Sequence, residues 1–333
     1  MTTETAGPVT GSILVVGGGI AGLTAALEAA EAGHEVCLVE KSTHLGGRVA
    51  QMSKYFPKLC PPYCGLEINL KRIKGNKRIH VFTQAEVEKV DGKPGDLTAT
   101  IKLAPRYVNE HCTACGDCIA VCPVARPNAF NYGLDNTKAV YLPHSLAYPM
   151  RFAMERTLCP SGCDKCVSAC KAGAIELSMA PKTMQLHVAA VVYATGWEPY
   201  DASRLEGFGF GQYKNVITNV MMERLAAPNG PTAGKITRPS DGKVPGRVAF
   251  VQCAGSRDEN HLPYCSAVCC LASLKQATYV REQNPEAQVD MFYIDVRSPG
   301  RNEDFYTKVA ADPKIALSRG KVGKVTEVPG TGN

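Results

Sequence analysis

Apolar and polar positions along this chain follow two rhythms. Ile13–Val16 is a short unbroken apolar run, the mark of a strand buried on both faces. Leu23–Ala32 then repeats apolar residues at helical spacing, and Gly33 ends that helix. Glu35–Val39 reads as a second strand, closed by Glu40. Farther on, Leu97–Leu103 and Thr183–Val188 alternate as half-buried strands do, and Ala189–Tyr193 is again an apolar strand. In the last third, Arg247–Gln252 predicts a strand, Val268–Glu282 a helix and Val289–Val296 a strand. Strand, helix, strand, written twice, predicts an α/β protein with two parallel-sheet units.

The first of these units carries a fingerprint. Between its strand and helix stands Gly17-Gly-Gly19-Ile-Ala-Gly22. Gly17 permits a tight turn, Gly19 admits a pyrophosphate to the backbone, and Gly22 lets helix and strand close up. The helix N-terminus offers amide donors to phosphates. Glu40, with Lys41 beside it, is placed to accept hydrogen bonds from ribose hydroxyls. Gly46-Gly47-Arg48 begins six residues after Glu40, and Ala194-Thr195-Gly196 ends the strand Ala189–Tyr193. These features resemble flavoproteins with two dinucleotide-binding domains, the glutathione and thioredoxin reductase class. The resemblance covers residues 13–48 and 186–200. It implies FAD, with Gly46, Gly47 and Arg48 near the phosphates and ring and Thr195-Gly196 completing the site.

Two cysteine runs interrupt that unit. The first is Cys112-x2-Cys115-x2-Cys118-x3-Cys122-Pro, the spacing of two-cluster bacterial ferredoxins. The second is Cys159-x3-Cys163-x2-Cys166-x3-Cys170, with one extra residue in its first gap and Lys171 where a proline would follow. Three thiolates of a run wrap one cluster and the fourth reaches across to the other. The expected ligand sets are therefore Cys112, Cys115, Cys118 and Cys170 for one [4Fe–4S] cluster, and Cys122, Cys159, Cys163 and Cys166 for the other. Zinc is the rival metal, since paired C-x2-C motifs hold it, but eight ligands in two tight sets do not suit a four-ligand ion. The flanking strands Leu97–Leu103 and Thr183–Val188 would be neighbours if residues 105–181 were excised, and Pro105 and Pro181 mark the seams. The expected domains are a discontinuous FAD domain (12–104 and 182–235), an inserted α+β ferredoxin-like domain (105–181) and a second Rossmann-like unit (245–325).

That second unit has lost its glycine fingerprint. Cys253 stands where the first glycine belongs, and Cys265-x3-Cys269-Cys270 opens the following helix. A side chain at that turn opposes phosphate binding and argues against NAD(P)H. The four thiols suggest another metal cluster, although one of the adjacent pair could be a core thiol. Cys60-Pro-Pro-Tyr-Cys64 remains open between a redox and a structural role, Cys37 reads as core, and His111 and His261 as solvent or outer residues.

Composition narrows the picture. Fifteen cysteines without an apolar leader in Met1–Gly11 point to metal sites in a cytoplasmic chain, not to a disulfide framework. A net charge of +6, with scattered cations, gives no nucleic-acid footprint. No run of the roughly 18 apolar residues needed for a membrane span occurs.

Flavin fingerprint, inserted cysteine runs and Cys253-x11-Cys265-x3-Cys269-Cys270 together resemble the A subunits of heterodisulfide reductases. Gly47-Arg-Val-Ala-Gln-Met-Ser-Lys-Tyr-Phe-Pro, Cys60-Pro-Pro-Tyr-Cys64-Gly-Leu-Glu and Cys253-Ala-Gly-Ser-Arg-Asp-Glu-Asn-His are most similar to the branch found in quinone-interacting membrane-bound oxidoreductases, with the heterodisulfide-reductase-like complex of sulfur oxidisers close behind. The resemblance implies FAD, a third cluster on Cys253, Cys265, Cys269 and Cys270, and iron–sulfur partner subunits. It further implies membrane association through a quinone-reactive partner and delivery to or from adenylylsulfate reductase. A second copy of the chain is a further candidate partner. Against the methanogen form, the resemblance leads us to expect a chain without the N-terminal cluster domain and C-terminal ferredoxin, one that reaches Thr331-Gly-Asn333 before the segment that usually finishes an FAD site. The expected function is electron transfer between FAD, clusters and partners, with no general base or nucleophile in view. The alternatives are a self-sufficient NAD(P)H-dependent flavin oxidoreductase and a ferredoxin-like scaffold with a vestigial flavin site.

Overall fold

The computed structural model describes residues 4–5 and 11–328. The polar leader and the terminal Thr331-Gly-Asn333 therefore lie outside the described residues, apart from the backbone of 4–5 and Gly11. The chain divides between Trp197 and Glu198 into two compact units.

The first unit begins with β1 (Glu4–Thr5), β2 (Ile13–Val16), α1 (Ile20–Glu31) and β3 (Val36–Glu40). It continues through α2 (Tyr63–Gly75), β4 (Ile79–Thr83), β5 (Ala85–Lys93) and β6 (Asp96–Leu103). Residues 105–181 then contribute α3 (Asp117–Val121), β7 (Ala125–Pro127), β8 (Asn136–Lys138), β9 (Val140–Tyr141), β10 (Ala153–Met154) and α4 (Lys165–Ala169). The unit closes with β11 (Lys182–Val188) and β12 (Ala190–Tyr193).

Strands β12, β2, β3 and β4 form a parallel sheet in that order. The apolar run of β2 has no polar face because both faces are covered. Val15, Val36 and Leu38 pack against Leu23 and Leu27 of α1 and Leu66 and Leu70 of α2. Leu14 and Val39 pack the other way, onto Ala99, Ile101 and Leu186 of an antiparallel sheet in which β11, β6 and β5 follow one another. The short β1 runs parallel to β11 at its edge.

The strands flanking the cysteine runs are neighbours. β6 and β11 pair antiparallel from Leu103↔Lys182 to Leu97↔Val188. The chain leaves this sheet and re-enters it at facing residues, so residues 105–181 form an insert with adjacent ends. Within it, strands β7 and β8 pair antiparallel, as do β9 and β10. Its core is short of hydrocarbon. Val108, Val140, Phe152 and Met154 share it with Cys118 and Cys122, and Cys112, Cys159, Cys166 and Cys170 pack against it.

Arg106, at the entrance to the insert, is 6% exposed. Its guanidinium donates to Phe152 O at 2.8 Å and Arg151 O at 2.8 Å within the insert. It also donates to Thr43 O at 2.9 Å, just past β3, and to Thr83 Oγ1 at 3.1 Å, on the last residue of β4. These acceptors are neutral. Burial, and next the neighbouring Arg151, lowers its pKa to about 10, which still leaves it charged at neutral pH.

The second unit contains α5 (Asn219–Ala226), β13 (Arg247–Val251), α6 (Cys269–Gln283), β14 (Gln288–Tyr293), α7 (Asn302–Ala310) and β15 (Ile315–Arg319). Its three strands are parallel in the order β13, β14, β15. Residues 198–235, expected in the FAD domain, belong to this unit instead. Met222 and Ala226 of α5 share a core with Leu274 and Ala277 of α6 and Met291 of β14. Glu223, on the same helix, makes a buried ion pair with Lys275 at 3.1 Å and accepts from Gln276 at 2.7 Å. The strand expected over Val289–Val296 ends at Tyr293.

Replacing Arg106 with leucine strands several buried acceptors, each worth about 1–3 kcal/mol if left unpaired. Arg106→Leu is expected to lower the stability of the first unit by roughly 2–4 kcal/mol and to expose residues 105–181 to protease first. Urea unfolding with timed proteolysis measures both. An unchanged midpoint would mean that water reaches those carbonyls.

Candidate functional site: a glycine cradle and three groups of thiols

The glycine turn after β2 is built by contacts that only glycine allows. Gly17 has φ +110°, and a Cβ there would lie 2.3 Å from the carbonyl oxygen of Ala194, the residue after β12. A Cβ on Gly22 would lie 1.8 Å from Gly17 O. Gly19 differs: around its missing Cβ the nearest atom is Gly47 Cα at 3.9 Å, so the space is open. Gly19 is also the N-cap of α1, and no side chain caps that helix. First-turn amides facing open space are the donor set a phosphate needs.

A second glycine pair lies against this turn. Gly46 N donates to Gly18 O at 2.8 Å. Gly46 and Gly47 have φ +113° and +54°, and a Cβ on Gly47 would lie 2.8 Å from Gly19 Cα. Arg48 follows, with Nε donating to Trp197 O at 2.6 Å and its guanidinium carbon 4.7 Å from the Trp197 ring centroid. Trp197 adjoins Gly196, which has φ +71°. The structure thus brings Gly17, Gly19, Gly22, Gly46, Gly47, Arg48, Thr195 and Gly196 to one end of the parallel sheet, at the carboxyl ends of its strands, where ligands of α/β sheets bind. Lys41 stands apart, exposed and 3.5 Å from Glu86.

Glu40 is buried at the same end, but its carboxylate is already engaged. Gly18 N donates to Oε2 at 2.5 Å and Ser42 N to Oε1 at 2.7 Å. It therefore braces the turn as well as presenting its remaining lone pairs.

Two small pockets open within the insert, each ringed by thiols. One is lined by Cys122, Cys159, Cys163 and Cys166 with Met154 and Val140. The other is lined by Cys112, Cys115, Cys118 and Cys170 with Phe152 and Ile175. Each wall takes three thiols from one run and one from the other. Among the described residues, no three thiol, imidazole or carboxylate groups converge to hold a single metal ion. Burial, and then the Cys112 charge, pushes the Cys118 thiol up to about 11; burial likewise raises Cys166. A buried thiolate bears this cost unless a metal replaces the proton.

In the second unit, Cys253 is buried at the end of β13 with φ +56°, a left-handed conformation that few side chains adopt. Cys269 and Cys270 start α6, and Cys270 Sγ lies 3.7 Å from Asp295 O. Cys269 is held below the usual thiol range by the Cys270 S–H donating to it, with further hydrogen bonds from Ser266 and the Cys253 backbone. Cys270 is pushed up by giving that bond and by burial. Burial raises Cys253, followed by the charge of Cys269; Cys265 contributes less. The four sulfurs therefore sit within electrostatic reach of one another. Beside them Gln252 is 5% exposed, and neither atom of its side-chain amide has a hydrogen-bond partner among the described residues. A buried amide without a partner suits a site that a further group completes.

Several residues at these sites carry no signal in the sequence. Gln51 Nε2 donates to Phe130 O at 2.9 Å, Tyr132 Oη to Gln51 Oε1 at 3.0 Å, and Arg48 Nη1 to Tyr132 Oη at 3.1 Å. His44, Phe130 and His144 form a ring cluster with centroids 4.9–5.7 Å apart. Partners of this kind, most of them separated by about eighty residues or more, leave no local pattern to read. The Cys60–Cys64 stretch follows a short bridge between Tyr55 and Cys60, and Tyr55 is raised by burial and then by both thiols.

Comparison with known proteins places these features in a class. The model of the FAD dependent oxidoreductase family matches residues 12–97. That stretch of the chain is similar to FAD-dependent oxidoreductases. It is 42% identical over 328 residues to the second iron-sulfur A subunit of the CoB–CoM heterodisulfide reductase of Methanopyrus kandleri, covering 98% of this chain and 50% of that protein. It is 39% identical over 319 residues to the A subunit of the H(2):CoB-CoM heterodisulfide,ferredoxin reductase of Methanothermobacter marburgensis, covering 95% of this chain and 48% of that protein. The thioredoxin reductase of T. acidophilum aligns with a TM-score of 0.46 at 12% identity, covering 96% of this chain and 67% of that one. The chain belongs, over nearly its whole length, to the family of heterodisulfide reductase A subunits, and it spans about half the length of those relatives.

Burial lowers the pKa of His44 to about 3, helped by His144 and then Arg106. The unfolded chain takes up this proton near the ordinary histidine pKa, whereas the folded chain resists it until about pH 3, so acid favours unfolding. The contribution is complete above about pH 6.5 and shrinks by roughly 2 kcal/mol by pH 5. Melting curves between pH 7.5 and 5 are expected to show a shallower acid loss in His44→Gln than in the natural chain. Equal slopes would place the acid sensitivity elsewhere.

Proposed function

We propose that this chain is an electron-transfer subunit of a heterodisulfide-reductase-like complex, built around FAD and three [4Fe–4S] clusters. The observation that carries the reading is the lining of the two cavities in the insert, four cysteines each, shared between the two runs. Thiols spread around a cavity suit a cubic cluster better than a zinc ion, which needs its ligands about 2.3 Å from one point. When bound, FAD supplies two-electron chemistry and the clusters one-electron chemistry.

The protein's own part is binding and placement. Gly17, Gly19 and Gly22 with the start of α1 would hold the pyrophosphate, Glu40 would help hold the ribose, and Gly46 to Arg48 would border the ring. Lys41, exposed near Glu86, has at most a peripheral part. Cys112, Cys115, Cys118 and Cys170 would hold one cluster, and Cys122, Cys159, Cys163 and Cys166 the next. Cys253, Cys265, Cys269 and Cys270 would hold a third, supported by their mutual reach and the unpaired Gln252 amide. Cys253, buried in the turn where a nucleotide-binding unit keeps glycine, speaks against a self-sufficient NAD(P)H enzyme.

The relatives' names carry "heterodisulfide reductase" and "iron-sulfur subunit", which supports partner subunits here. Among the described residues no helix is long and apolar enough to cross a membrane. We place the chain in the cytoplasm, where thiols and clusters stay reduced. The stretches at residues 47–57, 60–67 and 253–261 favour dissimilatory sulfur metabolism, with adenylylsulfate reductase and a quinone-reactive membrane protein as partners.

Anaerobic purification with iron and flavin quantitation tests the whole reading. About 12 Fe per FAD is expected, three cubic clusters of four irons each. Zinc in place of iron would overturn the ferredoxin reading, and a chain free of flavin would make the glycine cradle vestigial. Cys170→Ser and Cys122→Ser should each remove about a third of the iron and erase a different cluster signal in stepwise-reduced EPR. Gly19→Ala should abolish flavin binding by filling the cradle while costing no more than about 1 kcal/mol of stability. Gly22→Ala should unfold the turn itself.

A further inference from the structure

We propose that Gln51 and Tyr132 make flavin binding and the loading of the insert with clusters mutually dependent. This rests on the flavin and cluster assignments and concerns the segment between them, residues 45–51. On one side that segment meets the glycine turn, through Gly46 N to Gly18 O at 2.8 Å. On the other it meets the insert, through Leu45 N to Tyr148 O at 2.8 Å and through the side chain of Gln51. Gln51 uses both ends of its amide: Nε2 donates to Phe130 O and Oε1 accepts from Tyr132 Oη. Tyr132 in turn accepts from Arg48. The flavin-facing loop is therefore pinned from both sides.

A loop with glycines at φ +113° and +54° has much conformational freedom to lose and needs such pins to keep one shape. The partners of Gln51 belong to residues 128–132, which follow from Cys122 through β7. Asn128 and Asn131 anchor that segment on Asp135 before β8. Cys122 lines one cavity and shares a core with Cys118, Val140 and Met154. Without ligated metal the segments that carry these thiols meet only through a few apolar contacts among Val140, Phe152 and Met154, so the core of the insert is soft. With ligated metal it is cross-linked. The ordering of Phe130 and Tyr132 follows, and with it the shape of the flavin loop. Because linkage is reciprocal, bound flavin must strengthen cluster retention by the same factor.

The test uses the full chain, stripped of iron by chelation and then reconstituted anaerobically with iron and sulfide. FAD affinity is read by quenching of flavin fluorescence in each state. We expect FAD to bind about tenfold more tightly to the reconstituted chain, and excess FAD to raise by a comparable factor the chelator concentration that removes half the iron at equilibrium. In Gln51→Ala/Tyr132→Phe the affinity ratio should fall to about twofold or less while iron content matches the natural chain. A change in stability alone would move neither ratio. Equal FAD affinity in the two states of the natural chain would overturn the proposal. A double variant that keeps the tenfold ratio would overturn its assignment to these two residues. A chain that takes up no flavin in either state, or no iron, would instead defeat the assignments on which the proposal stands, and the proposal with them.

Discussion

One guanidinium joins the insert to the parallel sheet at the ends of β3 and β4. Arg106 reaches carbonyls and a hydroxyl from the ends of β3 and β4 and from Arg151 and Phe152, all from one buried position. A lysine at this place would offer a point charge and three donors; only the planar fork of arginine matches acceptors on several sides at once. Neutral carbonyls spread over the fork satisfy its donors without fixing a single partner. The rest of the first unit depends on this seam, because the glycine turn, the loop at residues 45–51 and the cysteine cavities stand on either side of it.

The insert shows how a small module manages without a large hydrocarbon core. Domains of this size bury too little apolar surface to be comfortably stable and commonly add metal or disulfide. Here the side chains that would fill the core are thiols around two cavities. The second unit solves a different problem. Its parallel sheet keeps the shape of a nucleotide-binding unit while Cys253 occupies the turn, and a buried Lys275–Glu223 pair with Gln276 fastens α5 to α6.

Much of this is legible in the order of residues, and the reason is locality. The glycine turn, the strands β2, β3, β6, β11, β12 and β13, and the pairing of β6 with β11 all follow from short patterns of apolarity and glycine. The role of Glu40 is only half legible: its place at the end of β3 follows from the pattern, but its grip on Gly18 N and Ser42 N does not. Residues 198–235 read as part of the FAD domain because nothing between Tyr193 and α5 marks the point at which the chain changes core. Only the tertiary contacts of Met222 and Glu223 decide it. Arg106, Gln51 and Tyr132 are invisible in the sequence for the same reason, since each is defined by partners distant in the chain.

The facing of Leu103 and Lys182 bears on the history of such proteins. Two strands that already lie side by side need only a tight hairpin to close. A gene encoding the uninterrupted sheet could thus have gained residues 105–181 at that hairpin without disturbing a single strand around it. The same geometry leaves the insert exchangeable: a different module with neighbouring termini could be grafted into the gap, so that one scaffold carries many attachments.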